Sequence, residues 1–193
     1  MALTTYTAGE VLTAASLNDN LAFAITVPAS TPGGLTLITS QVIGTTVSSV
    51  TVSSAFSATY DNYKITVSGG VGSTAQAILM KLGATSAGYY WGLQGADFAG
   101  SASTNGASNT SSWRVGAANT ATFSTTLDLM SPNLAKQTAF AGTYLLPTAS
   151  TAGVMGNTGG FLNDSTQYTA FTLTPTTGTL TGGTILVYGY SNS

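Results

Sequence analysis

The chain contains neither histidine nor cysteine. Ser-His and Cys-His nucleophile pairs are therefore impossible, as are zinc sites built from the usual nitrogen and sulfur ligands. What remains for acid-base work is six carboxylates: Glu10, Asp19, Asp61, Asp97, Asp128 and Asp164. A glycosidase needs two carboxylates flanking one bond at a defined separation, so Asp97 with Asp164 or Asp128 is the pairing to weigh. Nothing in their spacing favours it, and the aspartates read as turn residues that hydrogen-bond local backbone. No D-x-D-x-D-G calcium loop is present, and no Gly-rich stretch runs into a Lys-bearing helix to cradle phosphate. The expectation is a non-enzymatic protein with no catalytic residue, no cofactor and no metal ligand. Asn109 and Asn163 open formal N-glycosylation triplets, which a Ser/Thr-rich sequence produces by chance.

One stretch has the chemistry of a binding platform. "GYYWG", residues 88–92, sets Tyr89, Tyr90 and Trp91 between two glycines. Aromatic rings offer CH-rich ligands such as sugars a large contact area at low entropy cost. Alternate rings in a strand equally well fill a core or a subunit interface, so all three roles stay open for these candidate surface-binding residues. Trp113 beside Arg114 carries the same ambiguity.

Two kinds of element surround these residues. "LTAASLNDNLAFAI", residues 12–25, reads as a helix, with Thr13 as N-cap and Leu12 and Leu17 spaced as a hydrophobic staple. Leu12, Leu17, Leu21 and Ile25 form a narrow apolar stripe, which fits either a helix packed on its own domain or a docking helix. "VPASTPGG", residues 27–34, is a Pro/Gly/Ser linker. The organisation expected is an arm with helix over 1–26, a linker over 27–34 and a β domain over 35–193.

From Leu35 onward the hydrophobic period is two. "FSTTLDLM" sets Phe123, Thr125, Leu127 and Leu129 on one face, and "NYKITVSGG" sets Tyr63, Ile65 and Val67 against Lys64 and Thr66. "AILMKL", residues 77–82, carries apolar residues on both faces, as a central strand would. Roughly ten short strands punctuated by Gly-Gly, Asn-Gly and Pro give the pattern of a sandwich or barrel. "TGGTILVYGY", residues 181–190, reads as a turn and a closing strand buried on both faces, with Tyr188 and Tyr190 on one of them.

Composition bounds the partners. Charged residues make up 5% of the chain and the formal net charge is −2, where about a quarter charged is ordinary for a soluble domain. Four scattered bases, Lys64, Lys81, Arg114 and Lys136, form no cluster in the sequence for phosphate contacts, which argues against nucleic acid as a partner. No apolar run reaches the length of a spanning helix, and the first residues carry no secretory leader, so no membrane insertion is expected. With 43% apolar residues and no disulfide, the chain is expected to hide surface against copies of itself, most simply as a homotrimer.

The quoted stretches also carry a resemblance. "FSATYDNYKITVSGG" (56–70) and "YTAFTLTPTTGTLTGGTILVYGYSNS" (168–193) look like the β-modules of tailed-bacteriophage virion proteins. "YTAGEVLTAASLNDNLA" (6–22) is similar to the opening of phage tail-fibre and related structural proteins, in which a short N-terminal segment attaches to the particle. Where many relatives carry a base in a "GTI-basic-VYGY" pattern, this chain has Leu186. The resemblance implies a mainly β fold, a jelly-roll-like antiparallel β-sandwich preceded by a short N-terminal helical arm, often assembled as a trimer. It implies a virion location, other virion proteins as partners, and no catalytic residues. Two functions follow from it: a small tail-fibre or receptor-binding protein whose loops touch host surface glycan or receptor, or a capsid decoration (cement or head-fibre) protein.

Overall fold

A computed structural model describes residues 34–146, 148 and 153–192 of the chain. The helical arm over 1–26, its stripe of Leu12, Leu17, Leu21 and Ile25, and the linker up to residue 33 lie outside the described residues.

Period two becomes strand throughout. In chain order the described residues form β1 (Leu35–Val42), β2 (Val50–Val52), β3 (Asn62–Ser68), β4 (Val71–Gly72), β5 (Gln76–Leu82), β6 (Tyr89–Asp97), β7 (Ala102–Thr110) and β8 (Trp113–Ala118). They continue with β9 (Phe123–Ser124), β10 (Thr126–Met130), β11 (Thr138–Leu146), β12 (Val154–Leu162), β13 (Phe171–Pro175), β14 (Leu180–Thr181) and β15 (Thr184–Tyr190). Every pairing is antiparallel. The larger sheet has eight strands in the order β1-β15-β3-β10-β11-β12-β6-β7, and the smaller has five, β2-β13-β5-β8-β9. These fifteen strands exceed the ten expected because some are only two residues long and one run is divided. "FSTTLDLM" switches sheets at Thr125: Phe123 and Ser124 pair with β8, whereas Thr126 onward pairs with β3 and β11.

The two sheets pack in a sandwich-like arrangement over one apolar cluster. Tyr63, Ile65, Leu127 and Leu129 come from the larger sheet, and Ile78, Met80, Phe171 and Leu173 from the smaller, all buried. Trp113 is the hub of its aromatic part, edge-on to Tyr89 at 5.1 Å and tilted against Phe140 at 4.9 Å.

The apolar closing stretch is β15, held between β1 and β3. Only one of its faces is core. Ile185 and Val187 are fully buried, while Leu186, Tyr188 and Tyr190 are half-buried on the other side, which no second sheet of the described residues covers. Strand β5 differs from expectation in the same way: it is central, between β13 and β8, yet Leu79 and Lys81 stay half-exposed. Gly189 sits between the two outward tyrosines and faces inward, where the Tyr60 ring lies against its backbone; an added Cβ would meet ring carbons at 2.5–2.7 Å.

Candidate functional site

The structure separates the three aromatic candidates. Tyr89 is a core residue, fully buried, its hydroxyl accepting from the Leu82 N–H at 2.8 Å. Burial pushes its phenol up to about 12. Trp91 is half-buried on the same inward side and packs against the main cluster and a small one around Leu93 and Tyr144. Tyr90, between them, points outward, and its ring stacks on Phe161 of β12 with centroids 4.8 Å apart and planes 2° from parallel. As a platform the triplet is thus reduced to Tyr90, because neighbours in a strand face opposite ways.

Ladder register arranges the outward residues of the larger sheet in rows. One row runs Met130, Ala139, Phe161, Tyr90 across β10, β11, β12 and β6. The next runs Asp128, Ala141, Gly159, Gly92, Gly106, reaching β7. A third runs Thr126, Thr143, Asn157, Gln94, Thr104. The result is a trough across the strands, with a glycine floor, a two-ring wall on one side and a hydroxyl and amide wall on the other. At its β10 end lies a hollow of about 270 Å³ bordered by Lys64, Asp128, Thr143 and Asn157.

Asp128 corrects the turn reading of the aspartates, for it lies mid-strand. Lys64, directly opposite on β3, approaches its Oδ1 at 3.3 Å, and the Tyr190 hydroxyl donates to the same oxygen. That hydrogen bond to a carboxylate, with some burial, pushes the Tyr190 phenol up to about 12. Asp97 and Asp164 do serve turns. The N–H groups of Ala99 and Ser101 donate to Asp97 Oδ1 at 3.0 and 2.8 Å. Asp164 accepts from the Thr166 hydroxyl and N–H and from the Tyr168 hydroxyl, bonds that hold its carboxyl below the usual range.

The carboxylates do not converge. Asp97 ends β6 opposite Val154, at the start of β12, whereas Asp164 follows the far end of that nine-residue strand. A nine-residue strand spans about 30 Å, and a glycosidase pair must sit within about 10 Å. Among the described residues no three metal-binding side chains cluster.

Phe161 escaped the sequence reading, as did the floor residues Gly92 and Gly159 and the amides of Gln94 and Asn157. Tyr90, Gly92 and Gln94 follow from period two within one strand; the β12 residues depend on a register that the sequence does not display. Comparison with protein-family models, curated proteins and solved structures returns no match for this chain.

Proposed function

We propose that the chain is a non-enzymatic structural protein of a tailed-phage virion: a small trimeric tail-fibre or receptor-binding protein, attached through its N-terminal arm, with a jelly-roll-type sandwich as its exposed body. The observation that carries this reading is the outer face of the larger sheet. Of seven exposed large apolar side chains among the described residues, six lie on this one face: Leu35, Leu37, Val42, Met130, Met155 and Phe161. Apolar exposure gathered on one side marks a contact surface rather than random leakage. Three of the six belong to β1, which is an edge strand. An apolar edge on an isolated chain invites uncontrolled pairing, so coverage by further copies is the arrangement that keeps it safe. The resemblance of residues 6–22 to tail-fibre openings supports attachment by the arm.

The test is to raise antibody against the recombinant chain, locate it on purified virions by immunogold microscopy and count copies by gel densitometry. Label at the tail with tail stoichiometry is expected. Label over the head at capsid-lattice stoichiometry would make it a decoration protein, and absence from virions would refute the reading. Light scattering should give the mass of three 19.3 kDa chains, and a stable monomer at micromolar concentration would remove the trimer.

A further inference from the structure

We propose that the trough between the Tyr90–Phe161 wall and the Thr143–Asn157–Gln94–Thr104 wall binds a linear, uncharged glycan lying across the strands with one end at Asp128. This rests on the receptor-binding reading above and gives it a site and a ligand class.

The first argument is the pair of walls. A sugar ring presents CH groups on its faces and hydroxyls on its rim, so it needs an apolar surface beside free donors and acceptors. Tyr90 and Phe161 supply the apolar surface. Each ring fixes the other, so little side-chain freedom remains to be lost on binding. Phe161 is nonetheless 39% exposed, with no layer of its own chain's described strands over it. Opposite, the side chains of Thr143, Asn157, Gln94 and Thr104 make no hydrogen bond to other described residues. A row of unengaged amides and hydroxyls facing fixed aromatic rings matches the two kinds of surface that a sugar carries.

The floor supplies the second argument. Gly92 lies mid-strand without a positive φ, and a Cβ added there would meet nothing within 4 Å. Neither a turn nor a close approach requires glycine at this position, and a strand is weakened by having one. What the missing side chain does provide is open depth between the walls. Gly106 and Gly159 differ, since a Cβ on either would press on a neighbouring carbonyl oxygen at 3.0 and 3.2 Å.

Charge and size set the ligand class. Among the outward residues of the eight strands, Lys64 and Asp128 are the charged ones, and they pair with each other. An anionic polymer finds no free cation here, whereas Asp128, its side chain 44% exposed, can still accept from sugar hydroxyls. From Asp128 on β10 to Gly106 on β7 the floor crosses four strand spacings, roughly 19 Å, which suits several linked rings better than a single one.

Native electrophoresis of the full chain through gels containing dextran, mannan, xylan or mixed-linkage β-glucan tests this, with alginate as the anionic contrast. Retardation in at least one neutral gel is expected, lost in both Tyr90→Ala and Gly92→Val and kept in Leu37→Ser, which lies outside the trough. Gly92→Val should retain the wild-type melting temperature, so its loss of retardation reports on the trough and not on folding. No retardation in any neutral gel, retardation indifferent to both variants, or retardation in alginate alone overturns the proposal. A Tyr90→Ala variant that alters the oligomeric mass would make the wall a subunit contact and overturn it too. A chain located on virions but never retarded refutes the trough alone; a chain retarded in gels but absent from virions refutes the virion reading alone.

Discussion

Gly189→Ala tests how the closing strand is packed. The residue faces inward on β15, beside Tyr63 of β3, and has no positive φ to forbid a side chain. The obstacle is the Tyr60 ring, whose carbons lie 2.5–2.7 Å from where the new methyl must go. Carbon atoms prefer about 3.5–4.0 Å, so the ring must retreat by about 1 Å, away from its edge contact with Tyr63 at 6.2 Å. Overpacking of this kind costs about 1–3 kcal/mol. Removing glycine's backbone freedom returns about 0.5–1 kcal/mol. The net expectation is a loss of about 1–2 kcal/mol, which for a body of this size lowers the melting temperature by roughly 2–8 °C. In a Tyr60→Ala background the obstacle is gone, and the same substitution should be neutral or stabilising by up to about 1 kcal/mol. Urea unfolding of the four proteins at one fixed concentration yields the coupling, because association would otherwise shift the apparent stability. Equal cost of Gly189→Ala in both backgrounds, or no cost in the wild type, would refute the packing argument.

Two further outcomes follow from the same structure, and a third from the sequence of the arm. Removing residues 184–193 deletes β15, the partner of both β1 and β3, together with the fully buried Ile185 and Val187; no cooperative unfolding transition should remain, and Val187→Asp should give insoluble protein. A soluble truncated chain with a sharp thermal transition would contradict this. In alkali, Tyr89 and Tyr190, both raised to about 12, keep protons that the unfolded chain gives up near 10. Their contribution is therefore complete below about pH 10 and lost as pH rises through about 12, so the urea midpoint should fall across that window, and a flat profile would disprove it. In the arm, Leu17→Asp or Leu21→Asp should exclude the protein from virions while leaving the β body folded; normal incorporation of both would show that the stripe is not the anchor.

Side-chain direction was legible in the sequence because it is local. Tyr63 and Ile65 against Lys64, and Leu127 and Leu129 against Asp128, fall on the predicted faces since alternation is a property of one strand. Partner choice is not local. Nothing within "FSTTLDLM" shows that Ser124 and Thr126 hydrogen-bond in different sheets, because that depends on strands far away in the chain. Apolar content misleads in a specific manner: it marks Leu79, Leu186 and Tyr188 as buried, yet they occupy outer faces that no further layer of the described residues covers. Half of the trough could be read, since Tyr90, Gly92 and Gln94 alternate within β6. Phe161, Gly159 and Asn157 become its other half only through the pairing of β12 with β6.

The two halves of the larger sheet differ in what their residues do for stability. On β3, β10 and β15, nearly every inward residue is a large side chain buried against the smaller sheet. Strand β7, "ASTNGASNT", buries no side chain, and β6 and β12 are interrupted by glycines. Strand β7 therefore contributes no buried side chain, and on β6 and β12, which bury Tyr89, Leu93 and Leu162, the glycines work against the strand. Such strands persist because the ladder ties them to a sheet stabilised elsewhere. Their outward residues are thereby released from packing duties, and on β6 and β12 those residues are an aromatic pair, a glycine floor and unengaged amides. At the other edge, β1 turns Leu35, Leu37 and Val42 outward, chemistry suited to a neighbouring protein rather than to a sugar. One continuous sheet can therefore present a subunit contact at one edge and a ligand trough towards the other, with the buried strands between them fixing both.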